Sequence, residues 1–274
     1  MSELDTGTGD LMARRDDGVL VVTLNRPERR NALSDPMLEA LARVLAGAEA
    51  DEDVGCVVLT GAGGAFCAGG DVKAMAAGGG AGGGPRLSPD AIVLRQRANQ
   101  RATAGRLWEM PKPTIAALPG PAAGAGLSLA LTCDLRYLAD TAFLTTAFAG
   151  VALAGDYGGT WFLTRLVGAA KARELYYFSD RVPAAEAERL GLANAVFPAD
   201  RLEAEVLDRA RRLAEGPRIA LRSMKENLNR AVHGSLGECL DLEATLHIAS
   251  SRTEDHREAA TAFVEKRAPR FSGR

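Results

Sequence analysis

Basic clusters are missing from this chain. Its 274 residues carry 33 Lys and Arg against 35 Asp and Glu, for a net charge of -2, and no run of cations is present that would neutralise a line of phosphates. That argues against a nucleic-acid partner. Cysteine is sparse as well: Cys56, Cys67, Cys133 and Cys239 form no C-x-x-C pair and have no histidine at metal-ligand spacing, so they read as free thiols, with no metal site. The opening MSELDTGTGD lacks the basic region and apolar stretch of a secretory signal, so a cytoplasmic protein is expected. Only TIAALPGPAAGAGLSLALT, from Thr114 to Thr132, is long and apolar enough to raise a membrane span. Pro119, Gly120 and Pro121 would break such a helix, and Ala and Gly supply little transfer energy. Aromatics are also few, 5% of the chain, whereas glycine supplies 30 residues, a share above the usual one that asks for loops shaped by backbone.

What is present alternates strand and helix. GVLVVTLN (Gly18 to Asn25) is a β-branched run closed by the turn formers Asn25, Arg26 and Pro27, which predicts a strand entering a loop. Ser34 is placed to cap a helix that has Pro36 in its first turn, with Met37, Leu38, Leu41, Val44 and Leu45 at helical spacing. VGCVVLTG (Val54 to Gly61) reads as a buried strand and empties into GAGGAFCAGGD. GGGAGGG (Gly78 to Gly84) has nothing to pack and predicts a flexible linker. Ser88 opens a second helix to about Trp108, PKP holds the chain extended into the strand TIAAL, and a small-residue helix follows near Gly124 to Thr132. Strands are expected at DLRYLA and at Phe143 to Thr145, then mostly helix, with breaks at Gly216, Pro217, Gly234 and Gly237. The order predicts an α/β core over 1–200 and a helical region over 201–274.

Two glycine loops, AFCAGGD (Ala65 to Asp71) and PAAGAG (Pro121 to Gly126), each lie between an apolar strand and a helix start. No G-x-G-x-x-G opens a helix after a strand, and no Walker sequence with its closing Lys is present, so a nucleotide fold is disfavoured. Both loops are placed to aim free backbone N–H groups at one point, the arrangement that stabilises charge on a carbonyl oxygen. Ordinary strand-to-helix turns would have the same composition.

The blocks GVLVVTLNRPERRNAL, AFCAGGDVKAM, KPTIAALPGPAAGAGLSLALTCDLRYLA, DYGGTWFLTRLVG, AERLGLANAVFP and AFVEKRAPRFSGR occur in the order seen in the crotonase superfamily, the enoyl-CoA hydratase/isomerase family, which this chain resembles from about residue 18 to its end. The resemblance implies an α/β spiral of ββα units with a helical C-terminal trimerisation region, a coenzyme A thioester substrate, no separate cofactor, and a homo-trimer or dimer of trimers. It assigns the oxyanion amides to Ala68 and Ala125, and a substrate-binding loop to Ala68, Gly69, Gly70 and Asp71. Arg26 and Arg30 match the part flanking the nucleotide end, and Phe263 and Lys266 the segment that completes a neighbouring subunit's pocket. Solvated arginines or a plain helix end would account equally for these last four.

Hydratases of the family hold water between two glutamates, and the matching positions here are Ser128 and Phe148. Neither serves as a general base. Asp156 in LAGDYGGT matches an aspartate of the family's isomerases, and one base suffices to lift a proton from one carbon and return it at another. Its bland alternative is an N-cap for the helix starting near Gly158 or Thr160. His233, His247 and His256 lie in the helical part without ligand spacing, and Cys67 reads as a packing residue. The leading expectation is double-bond isomerisation with Asp156 as acid and base; an enoyl-CoA hydratase and a catalytically silent acyl-CoA binder are the alternatives.

Overall fold

The computed structural model describes residues 2–76 and 88–274; the glycine stretch Gly78 to Gly84 lies outside them. β1 (Ser2–Leu4) and β2 (Leu11–Asp16) precede β3 (Val19–Leu24). The β2–β3 hairpin turns at Asp17 and Gly18, both with positive φ, the backbone that a tight hairpin needs. α1 (Asp35–Ala50) begins as expected, with the Ser34 side chain accepting from the Met37 amide, and it buries Met37, Leu38, Leu41 and Leu45. β4 (Cys56–Gly61), α2 (Val72–Ala76) and α3 (Pro89–Gln100) follow. α3 continues through a π-helical turn at Arg101–Gly105 into α4 (Arg106–Glu109), and Pro111 and Pro113 then lead to β5 (Thr114–Leu118). Next come β6 (Ala122–Ala123), α5 (Ala125–Thr132), β7 (Leu135–Ala139) and β8 (Phe143–Thr145). α6 (Gly159–Phe178) is broken at Gly168, and β9 (Val182–Pro183), α7 (Ala184–Arg189) and β10 (Ala195–Phe197) complete the α/β part. The last helices are α8 (Leu202–Ala214), α9 (Arg218–Ala231), α10 (Leu236–Ser251) and α11 (Glu254–Glu265).

Seven strands form one sheet in the order β1-β2-β3-β4-β5-β7-β10, parallel from β3 onward, and β6-β8-β9 form a second, short sheet. Single bridges extend the short ladder, Leu33 to Gly70 and Cys67 to Ala122. Each turn of the chain therefore places one strand in the large sheet and one short extended segment in the small ladder before its helix. This is the ββα spiral, and it stacks the glycine loops of successive turns directly on one another.

Helix α8 lies across β3, β4, β5 and β7 and buries Leu202, Val206, Ala210 and Ala214 there. It belongs to the packed layer, so the helices that stand off the sheet are α9–α11. Gly237, expected as a break, is the second residue of α10. The helix starts there because Ser235 and Glu238 form a reciprocal capping box, which outweighs one glycine. α9 is anchored by Lys225, 8% exposed, whose ammonium meets Asp134 at 2.9 Å and the carbonyls of Leu107 and Lys112. No helix among the described residues is long and apolar enough to cross a membrane.

Candidate active site

The two glycine loops abut. Phe66 N–H and Cys67 N–H both donate to Pro121 O, and Ala123 N–H donates to Cys67 O at 2.9 Å. Contact this close demands glycine at particular places: Gly69 has φ +88, and a Cβ on it would fall 2.8 Å from Ala123 O and 3.2 Å from Ala125 N. Gly124, at φ +52, turns the chain into α5. Ala125 is the first residue of that helix, so its N–H has no partner within the helix.

Ala68 does not fit the role expected of it. Its N–H already donates to Arg30 O at 2.9 Å, and its side chain faces solvent. The amide two residues on, Gly70, has no acceptor among the described residues. Gly70 follows Gly69, where a Cβ would crowd Ala125 N, and among the described residues neither the Gly70 nor the Ala125 amide has an acceptor. Cys67 lies between the loops, fully buried, with Sγ 3.0 Å from Asn31 O. Burial pushes its thiol up to about 12, so it is a packing residue and no nucleophile.

The expected cations divide. Arg26 is tied inward: it donates to Ala32 O at 2.7 Å and pairs with Asp71 at 3.2 Å and Asp10 at 3.6 Å. Asp71 in turn accepts from the Ala74 amide at 3.1 Å, capping α2, and this bond together with Arg26 holds its carboxyl below the usual range. Both residues brace the loop instead of presenting free charge. Arg30 is exposed and adopts the left-handed conformation at the end of the turn. Phe263 is exposed on α11, which packs chiefly on α10, and Lys266 is exposed at its C-cap; neither bonds to the loops among the described residues. His233, His247 and His256 are all exposed.

Asp156 sits in a turn that only a tight backbone can make, since Gly155, Tyr157 and Gly158 all have positive φ. Such strain is concentrated where a side chain has to be aimed. Tyr157 is buried, and its N–H donates to Gln100 Oε1 at 2.6 Å, pinning the turn to the end of α3. The cap of α6 is Gly158, with no side-chain hydrogen bond, so Asp156 is not an N-cap. Its Oδ1 is buried and has no hydrogen-bond partner among the described residues. Burial alone lifts this carboxyl to about 6, the range of a base working near neutrality. Its charge is felt at Cys67, Tyr157 and Tyr176, which sets the carboxylate beside the loop junction.

The surroundings are mostly apolar. Phe148 stacks on Tyr176, with ring centroids 5.8 Å apart and planes 10° apart, and it packs against Gly124. Ser128 lies on α5 three residues after Ala125, buried, with its hydroxyl donating to Gly124 O at 3.3 Å. Tyr176, which sequence reasoning missed, arrives from α6; Thr145 and Thr146 fix that helix end by donating to Ser179 O and Leu175 O. Its only sequence signal was the pair Tyr176–Tyr177 on one helix in a chain of four tyrosines.

Residues 14–274 match the family described as Enoyl-CoA hydratase/isomerase. A Mycobacterium tuberculosis (strain CDC 1551 / Oshkosh) protein named "Probable enoyl-CoA hydratase echA8" is 38% identical over 264 residues, 96% of this chain and 98% of that one. The 1,2-epoxyphenylacetyl-CoA isomerase of Escherichia coli (strain K12) is 36% identical, again over 96% of this chain and 98% of its own. Among solved structures, an enoyl-CoA hydratase from Bacillus anthracis superposes with a TM-score of 0.88 at 32% identity, covering 97% of this chain and all of that one, 100%.

Proposed function

Because this chain belongs to the enoyl-CoA hydratase/isomerase family, which acts on coenzyme A thioesters, we propose that it is an acyl-CoA isomerase with Asp156 as its single acid and base. The observation that carries the reading is the Asp156 carboxylate, unbonded at Oδ1 and raised to about 6, beside positions where Ser128 and Phe148 stand in place of hydratase glutamates. In this reading the thioester carbonyl lies between the amides of Gly70 and Ala125, which stabilise the enolate oxygen. Asp156 takes a proton from the carbon beside the double bond and returns it at the far end of the allylic system. No further cofactor is needed, since coenzyme A is part of the substrate.

The hydratase alternative asks for a group that deprotonates water while a second one protonates carbon. Asp156 is the one carboxylate the site offers among the described residues, and that favours proton shuttling over water addition. In the same reading Arg30 meets the nucleotide end, and Phe263 and Lys266 complete a neighbouring subunit's pocket. Exposed Met224, Leu228, Leu236, Phe263 and Val264 on α9–α11 support assembly through these helices. The test is substrate choice: migration of the double bond in 3-hexenoyl-CoA, with hydration of crotonyl-CoA far slower, is expected. Rapid hydration of crotonyl-CoA with no migration would overturn the reading.

A further inference from the structure

Next to the Asp156 turn lies an apolar cavity of about 260 Å³ that the proton transfer leaves unused. One wall is the end of α3 with its continuation into α4, where Ala104, Gly105 and Trp108 face the space; the other is the turn after Asp156 and the start of α6, with Tyr157, Trp161 and Phe162. The first wall is where the helix takes its π turn at Arg101–Gly105. Such turns insert a residue into a helix and recur at functional sites, and here the turn ends in two small residues, Ala104 and Gly105. The three rings meet edge to face, with centroids 4.7–5.3 Å apart and planes at 70–77°. The Arg165 guanidinium lies 3.9 Å from the Trp161 centroid and holds that ring from outside.

Tyr157 connects this cavity to the glycine loops. It is buried and lines the space, and its phenol is raised by burial first and then by Asp156, Asp35 and Cys67. One side chain thus borders the cavity, the base and the first loop. An acyl group whose thioester carbonyl lies between the Gly70 and Ala125 amides, with its allylic carbons at Asp156, meets the cavity next. The described walls carry no carboxylate, and Gln100 Oε1 is already taken by the Tyr157 amide. The occupant that fits is therefore apolar. A cavity of about 150 Å³ with apolar walls suffices for benzene, so the space here holds a ring and a short linker. A ring gains edge-to-face contacts from aromatic walls, and it has no internal rotors to freeze, unlike an alkyl tail.

We propose that this cavity receives the distal end of the acyl group and that its aromatic walls favour ring-bearing acyl-CoA thioesters over straight-chain ones of equal carbon count, with Trp161 setting the preference. The proposal rests on the isomerase reading of Asp156 for the placement of the thioester, and it names the substrate class of that site.

The chain has two tryptophans, Trp108 and Trp161, and both stand in these walls, so intrinsic fluorescence reads the occupancy of the cavity. The test titrates the full chain with 5-phenylpentanoyl-CoA, with undecanoyl-CoA of the same carbon count and with free coenzyme A, none of which has a double bond to move. The phenyl thioester is expected to shift the tryptophan emission and to bind about tenfold more tightly than the straight chain, while coenzyme A alone leaves the emission unmoved. Trp161→Leu should bring that ratio to within about twofold of unity, and Ala104→Leu, which fills the cavity from the opposite wall, should do the same. Equal affinities in the wild type, an equal shift from coenzyme A alone, or a Trp161→Leu variant that weakens both thioesters alike would overturn the proposal. Binding makes no use of the base, so the two claims fail separately. If the ring preference holds while no 3-enoyl-CoA undergoes migration, the cavity assignment stands and the isomerase reading falls; migration without a ring preference gives the reverse.

Discussion

Replacing Asp156 by asparagine removes a charge while keeping the shape, and its effect on stability has a sign that follows from burial. Desolvation raises the carboxyl from 3.8 to about 6, a shift of roughly two units at about 1.36 kcal/mol each, or at most about 3 kcal/mol. Partial solvent contact and the unmet hydrogen bonds of the new amide reduce the net gain to about 1–2 kcal/mol. The folded-state pKa lies above the unfolded one, so the fold favours the protonated acid. The penalty is absent below the unfolded value of 3.8, grows as pH rises toward 6, and is complete above it. Asp156→Asn is therefore expected to stabilise the protein by about 1–2 kcal/mol at pH 8, with the gain shrinking toward pH 4.5, while turnover falls by about a hundredfold or more. Urea unfolding across that pH range, alongside single-substrate kinetics, reads both. An N-cap would behave in the opposite way, losing about 1 kcal/mol on substitution. Destabilisation at pH 8, or a gain independent of pH, would refute the argument from burial.

The same carboxyl predicts that kcat/KM rises with pH through an acid limb near 6 and levels off above it, because the base works only when ionised; a flat profile from pH 5 to 8 would remove Asp156 from that role. Ala125→Pro should fold, since proline is accepted at the first position of a helix, yet lose about a hundredfold in turnover with its N–H; Gly70→Pro should lose a similar amount. Light scattering is expected to show a trimer or a dimer of trimers, and a monomer at micromolar concentration would contradict the assembly through α9–α11.

Much of this architecture is legible in the chain because it is local. The β-branched run at Val19–Leu24 makes β3, and the side chains of Ser34 and Ser88 cap α1 and α3. The approach of two glycine loops is legible for the same reason: close backbone contact leaves no substitute for glycine at position 69. What escapes the sequence is the partner that one loop finds in another. Nothing in AFCAGGD says that the Ala68 amide is consumed by Arg30 O, while the Gly70 amide has no acceptor among the described residues. Arg26 reads as a cation for a ligand until Asp71 and Asp10 are seen around it. Tyr176 reads as one more residue on a helix, and only the fold sets its hydroxyl beside Ser128 and Asp156. Asp156 is itself visible through the family resemblance, but its unbonded oxygen, which distinguishes a base from a cap, is a three-dimensional fact.

The most direct test of the central claim follows the proton itself. A 3-enoyl-CoA is incubated with the enzyme in deuterium oxide, and the carbon positions that acquire deuterium are read by NMR. Single-base isomerisation predicts migration of the double bond, with deuterium entering only at the α and γ carbons and all exchange lost in Asp156→Asn. Migration that persists in Asp156→Asn, or a product bearing a new hydroxyl at the β carbon in place of migration, would contradict it.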